Sequence, residues 1–341
     1  MIRKFFLGLA LVLSILIIWN WSLVKYGVEQ GIGQAKIVWN SRSVETILSD
    51  PQFPDSLKAK LRLIQEIRRF AIDSLGLKDT KNYRTVYDQK GKEVMWVVMA
   101  SEPFRLKPKL WNFPVVGAVP YKGYFNKEDA KIERKNLEAE GFDVSVRNPQ
   151  GWSTLGWFTD PILSRMLERS EGDLGSLILH EMVHATLWVK DSVDFNENLA
   201  SFIGDTAAYE FLKYRFGKNS VEYRSYLEES QNYTKYSGHM LRGALGLDSL
   251  YNTMKSTDAI DSKRKRKEKF IQKIVDALDT LSLLHLKNPS KRFGGLLPNN
   301  AYFMSFRHYD SRVDRFRKEM NRKFKGDLKG YIRYLAKKYP M

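Results

Sequence analysis

The pattern of apolar and polar positions divides the chain into an apolar head, a strand-rich middle and a helical remainder. Phe5 to Trp19 is apolar apart from Ser14, and Trp21, Leu23 and Val24 extend the stretch to about 20 residues, enough to cross a bilayer as a helix. Arg3 and Lys4 precede it, which favours a cytoplasmic N-terminus, and Trp19, Trp21 and Tyr26 fall where an aromatic belt sits at the far interface. A cleaved signal peptide is the competing expectation, but the residues Asn20 to Lys25 are mostly bulky and offer no small-x-small site. Either way, the rest of the chain is expected outside the cytoplasm.

Residues 26–49 read as a helical stalk, broken by Pro51 and Pro54. Leu57, Leu61, Ile64, Ile67, Ala71 and Leu75 then keep helical spacing up to a stop at Gly76. Residues 95–100, 115–119, 142–146 and 153–158 read as strands, with a helix at 127–140 ending at Gly141. From Asp160 the pattern turns helical: 163–168, 174–188, 197–216, 222–245 and a segment through Ile271 to Leu284 all fit, followed by a Gly/Pro/Asn loop at 294–300 and a basic helical tail. The fold expected is α+β: an N-terminal transmembrane helix (1–25), then one small mixed sheet near residues 83–158 packed on a larger helical part, within a domain spanning 26–341.

Composition narrows the chemistry. There is no cysteine among the 341 residues, so disulfides, thiolate metal sites and thiol nucleophiles are excluded. A metal site must draw on carboxylates and on five histidines: His180, His184, His239, His285 and His308. The net charge of +17 is concentrated in residues 262–341, where 22 Lys and Arg stand against 7 Asp and Glu. Such a region suits anionic lipid or an acidic envelope polymer, or a solvated helical surface. Nucleic acid fits the charge but not an export signal, and no recognition motif is present.

One motif carries chemistry. In His180-Glu181-Met182-Val183-His184 the two histidines are one helical turn apart and can reach one metal. Glu181 lies about 100° round the helix from His180, poorly placed as a ligand beside them but well placed to act as base on water. A catalytic zinc needs a third protein ligand and an open position. A turn over 189–194 returns the chain so that Glu197, opening the next helix, reaches the same metal, and Ala200 and Gly204 allow the two helices to approach closely. Asp205, Glu210 and His239 are the fallback ligands. Zinc on His180, His184 and Glu197 would acidify water toward a pKa of about 7, with Glu181 moving the proton to the leaving amine of a peptide. Tyr121, Tyr124 and Tyr309 are oxyanion candidates by residue type, and 153–158 is a candidate edge strand for an extended substrate.

Asn112-Phe113-Pro114-Val115-Val116-Gly117, Tyr121-Lys122-Gly123-Tyr124-Phe125, Ser153-Thr154-Leu155-Gly156-Trp157-Phe158 with Asp160-Pro161, and the metal motif with Phe195-Asn196-Glu197 occur in this order. Together they resemble the predicted aminopeptidase family of bacterial exported and lipid-anchored proteins, in the gluzincin-like group, from the end of the apolar head to about residue 310. The resemblance implies a zincin-like zinc peptidase acting on peptides from the outer face of a membrane. Many members carry a lipidated Cys, whereas this chain has a hydrophobic helix in its place. The alternative from another class is a tethered cell-envelope binding protein with a structural or vestigial zinc site, gripping anionic material through its basic region.

Overall fold

The computed structural model describes residues 18–113, 117–149, 159–190, 192–310 and 312–339. Among them no helix is long and apolar enough to cross a membrane. The expected anchor falls mostly outside the described residues, as does the expected strand at 153–158.

Helix α1 (Trp21–Trp39) takes the place of a free stalk. It docks on the body: Gln34 and Ile37 are buried, and the Tyr26 hydroxyl donates to the Gly123 carbonyl at 2.9 Å while its ring stacks on Phe113. A two-residue strand β1 (Arg42–Ser43) and a short helix α2 (Val44–Leu48) follow. Helix α3 (Asp55–Phe70) continues through a π turn to Leu75 and ends at Gly76, whose φ of 74° is the left-handed stop that its sequence position suggests.

The strands do not form one mixed sheet. β1, β2 (Thr85–Tyr87) and β8 (Ile162–Leu163) make one small sheet, with β2 and β8 parallel; β8 leads into a 3₁₀ turn, Ser164–Glu168, in place of an expected helix. β3 (Trp96–Ser101) is the centre of a second, flanked antiparallel by β6 (Lys122–Tyr124) and β7 (Asp143–Arg147), and covered by α4 (Lys127–Ala139). β4 (Trp111–Phe113) and β5 (Gly117–Val119) pair only with each other. Gly117, at φ 79°, begins β5 in a conformation that side-chain-bearing residues resist.

The helical part comprises α5 (Glu171–His184), α6 (Val193–Phe216), α7 (Val221–Asn252), α8 (Ile260–Asp276), α9 (Asn300–Asp310), α10 (Val313–Phe324) and α11 (Leu328–Lys338). The main core lies where α3, α5 and α6 meet, with Ile64, Ile67, Ile178, Phe202, Ile203 and Phe211 almost fully buried. Each such side chain contributes about 1.5–3 kcal/mol through apolar burial. A second core joins α7, α8 and α9 through Met240, Leu247, Ile271 and Phe303.

Candidate metal centre

Helix α5 starts where Ser170 accepts the backbone N–H of Asp173, with Glu171 and Asp173 in its first turn favouring the helix dipole. Leu174, Ile178, Leu179, Met182 and Val183 bury one face in the core, which orients the other toward α6. His180 and His184 stand one turn apart on that face, with Nε2 atoms 3.1 Å from each other.

The chain reverses through a turn held by one buried side chain. Asn196 accepts the N–H of Val189 at 2.9 Å and donates to its carbonyl at 2.8 Å. The next residue, Glu197, sits in the second turn of α6, because the helix begins at Val193, four residues before the sequence-based start. Its carboxylate oxygens lie 3.4 Å from His180 Nε2 and 3.5 Å from His184 Nε2. Closeness of the helices depends on Gly204: a Cβ there would come within 3.0 Å of the His180 nitrogen and the Ser176 carbonyl oxygen.

Among the described residues, His180, His184 and Glu197 are the trio placed to hold a metal ion, their ligand atoms within 4.8 Å of one another. Metal–ligand bonds of 2.0–2.1 Å in tetrahedral array put neighbouring ligand atoms about 3.3–3.4 Å apart. The separations found here fit that geometry, and the donor set of two imidazoles and a carboxylate is one that zinc accepts. Burial pushes the Glu197 carboxyl up, but the imidazoles of His180 and His184 beside it outweigh burial and hold it far below the ordinary carboxylate range. It therefore presents a charged oxygen to the site.

The fallback ligands are elsewhere. Asp205 accepts from the Ser176 hydroxyl at 2.6 Å and from the Tyr226 hydroxyl at 3.2 Å, and its pKa is raised, burial being the first cause. Glu210 lines a different cleft with Lys213 and Tyr214, and His239 Nε2 is 2.8 Å from the Ile274 carbonyl oxygen. Of the oxyanion candidates, Tyr124 packs in the β3–β7 core against Tyr26 and Tyr121 packs beside Val97, Met99 and Ala301. The side chain of Tyr309 lies outside the described residues.

Two contributors were not foreseen. Asn196 was visible only as part of a motif, yet it builds the turn. Tyr83 is 1% exposed, has a left-handed φ of 60°, and its hydroxyl is pushed well above the tyrosine range by burial first and then by the charge of Glu181. Its backbone is fixed by bonds to the Asp160 carbonyl (2.7 Å) and from Gln65 (2.9 Å). A positive φ at a non-glycine residue was the kind of signal that sequence does not print.

A partly buried two-histidine, one-glutamate trio on an α-hairpin, with a second glutamate on the same turn, defines the class: a candidate metal centre. The chain belongs to the putative aminopeptidase family, whose model matches residues 25–338, and membership points to peptidase activity. Neither a curated protein nor a solved structure matches it.

Proposed function

We propose that the protein is a zinc-dependent aminopeptidase of gluzincin-like type, tethered through residues 1–25 with its catalytic domain on the exported side of the membrane. The observation that carries this reading is the convergence of His180, His184 and Glu197 at tetrahedral ligand spacing, with Glu181 one residue along from the first ligand. Zinc, when bound there, supplies Lewis acidity that lowers the pKa of water toward about 7 and polarises the scissile carbonyl. His180 and His184 would hold the ion through Nε2, and Glu197 offers a carboxylate already ionised at neutral pH. Glu181 accepts the proton of the attacking water and delivers it to the leaving amine. Tyr83, fixed in the core, presents a protonated hydroxyl within range of the Glu181 charge.

The test is zinc content and peptide hydrolysis of the purified chain and of Glu181→Gln. The variant is expected to retain about one zinc per chain and to lose hydrolysis of peptides with a free amino terminus by about 1,000-fold. Full activity in Glu181→Gln removes Glu181 as the base. Equal cleavage of amino-blocked peptides removes the aminopeptidase assignment while leaving the metal site standing.

A further inference from the structure

On the side of α6 away from the metal lies a cleft of about 590 Å³ between α10, α11 and the first turn of α6. Phe195 reaches into it. Phe195 and Glu197 are two residues apart on the helix, about 200° round, so the cleft and the metal trio occupy opposite faces of α6. The cleft is therefore not part of the substrate site.

Its lining pairs an apolar floor with a cationic rim. Phe195 packs edge-on against Phe316 (5.5 Å) and Tyr339 (5.1 Å), and Leu335 completes the floor. Arg312, Arg315, Lys318, Arg322 and Lys338 form the rim, all exposed. None of them has an ion-pair partner among the described residues, whereas neighbouring Arg317 and Lys323 do. Glu319 is the acid in the lining, and it is already engaged: Lys323 donates to it at 2.7 Å and the Tyr331 hydroxyl at 3.1 Å. Four of the five rim cations recur at three- to four-residue steps along one side of α10, which is itself pinned where the Arg312 N–H donates to Asn198, the residue after Glu197.

Four cations without an ion-pair partner among the described residues, with Lys338 over the Tyr339 ring at 5.2 Å, surround an aromatic and aliphatic floor and suit a ligand that is anionic at one end and apolar at the other. We propose that this cleft binds the phosphate of an anionic phospholipid headgroup, its glycerol and upper acyl carbons lying on Phe195, Phe316 and Tyr339. An acidic polymer would use the rim but has no need of the floor, and the proposed tether through residues 1–25 would hold the chain at a bilayer. The inference rests on the tether of the proposed function and does not depend on its metal reading.

The experiment is native mass spectrometry of the detergent-solubilised full chain, titrated with dioleoylphosphatidylglycerol, dioleoylphosphatidylcholine, inorganic phosphate and polyphosphate. Phosphatidylglycerol is expected to be retained at least about tenfold more tightly than phosphatidylcholine. Arg315→Gln with Arg322→Gln should weaken it by about thirtyfold. Lys265→Gln with Lys269→Gln removes the same charge from exposed positions on α8 and should leave it unchanged. Equal loss in both double variants, or equal retention of the two lipids, would overturn the site in favour of diffuse attraction. Displacement by inorganic phosphate at micromolar concentration would reassign it to a free phosphate ligand, and displacement by polyphosphate to a polymer.

Discussion

Two largely buried clusters of charged and polar side chains, one around Asp143 and one around Glu197, are partnered in different ways. Around Asp143, donors meet acceptors: its carboxylate accepts from the Lys267 ammonium and from the Asn300 N–H. Lys267 also donates to the Pro103 carbonyl, and Asn300 donates to Glu102 while accepting from the Tyr251 hydroxyl. Every charge there is answered, and the cluster fastens β7 and α8 to the start of α9. Around Glu197, two imidazole nitrogens 3.1 Å apart face one carboxylate, and the buried Nδ1 of His184 has no hydrogen-bond partner among the described residues. Three ligand-type groups converging on one point, with a ring nitrogen left unpartnered, suit the holding of a cation. A polar cluster is thus read by how fully its groups are partnered, and burial alone does not distinguish structural from chemical use.

The largest effects should separate the clusters cleanly. Glu197→Ala is expected to take metal content from about one ion per chain to none, with hydrolysis lost. Asp143→Ala leaves the Lys267 charge buried and unpaired, which costs about 3–5 kcal/mol, and should leave metal stoichiometry intact in whatever fraction folds. Metal analysis and chemical denaturation of both variants test the contrast together. It collapses if Asp143→Ala strips the metal or if Glu197→Ala retains it.

The sequence foretold one cluster and concealed the other for the same physical reason. His180, His184 and Glu197 lie within 18 positions on two consecutive helices, so helical period and one turn were enough to bring them together. The Lys267–Asp143 pair spans 124 positions, and Lys267 sits in the run Lys263 to Lys267, which reads as a solvated face although Lys267 is buried. Tyr83 reaches the field of Glu181 from 98 positions away, with no local pattern to announce it. The strands show the same limit. Residues 96–101 and 143–147 were legible as strands, but period-two alternation does not say which strand pairs with which, so three small sheets read as one. Most helices were legible, but the helix expected at 163–168 is a 3₁₀ turn, and helix starts moved earlier by three residues at α5, four at α6 and eleven at α8, whose first turns carry no apolar pattern of helical period.

A smaller perturbation probes the spacing on which the metal cluster depends. Gly204→Ala places a methyl 3.0 Å from backbone atoms of α5, so the hairpin must open by a few tenths of an ångström. Overpacking of this kind costs about 1–3 kcal/mol. The Asp143 cluster does not involve this contact, so Gly204→Ala should weaken metal retention against a chelator without changing the behaviour of Asp143 variants. Unaltered metal affinity in Gly204→Ala would mean that the hairpin spacing is looser than the 3.1–3.5 Å ligand separations imply.

The smallest expected effect is in pH dependence, where the metal-free protein should respond at opposite ends of the scale. Glu197 has a depressed pKa in the folded state, so the folded chain binds fewer protons there than the unfolded chain. Its contribution to stability is present above the ordinary Glu value of about 4.3 and is lost as pH falls toward the folded value. Lys267 is also depressed, by burial first, with Asp143 pulling it partly back. For a base this is a penalty on the charged form, present at neutral pH and relieved as pH rises toward the ordinary lysine value of about 10.4. Each contribution changes by at most about 1.4 kcal/mol per pH unit, the limit for one proton. Denaturant midpoints of the metal-free chain should therefore fall between pH 5 and 3, less steeply in Glu197→Gln, where this carboxylate no longer titrates. The alkaline relief should vanish in Asp143→Asn combined with Lys267→Met, which removes both charges and leaves no unpaired partner. An acid limb unaltered by Glu197→Gln would show that the trio is not electrostatically coupled without its ion, and the contrast between the clusters would then rest on metal binding alone.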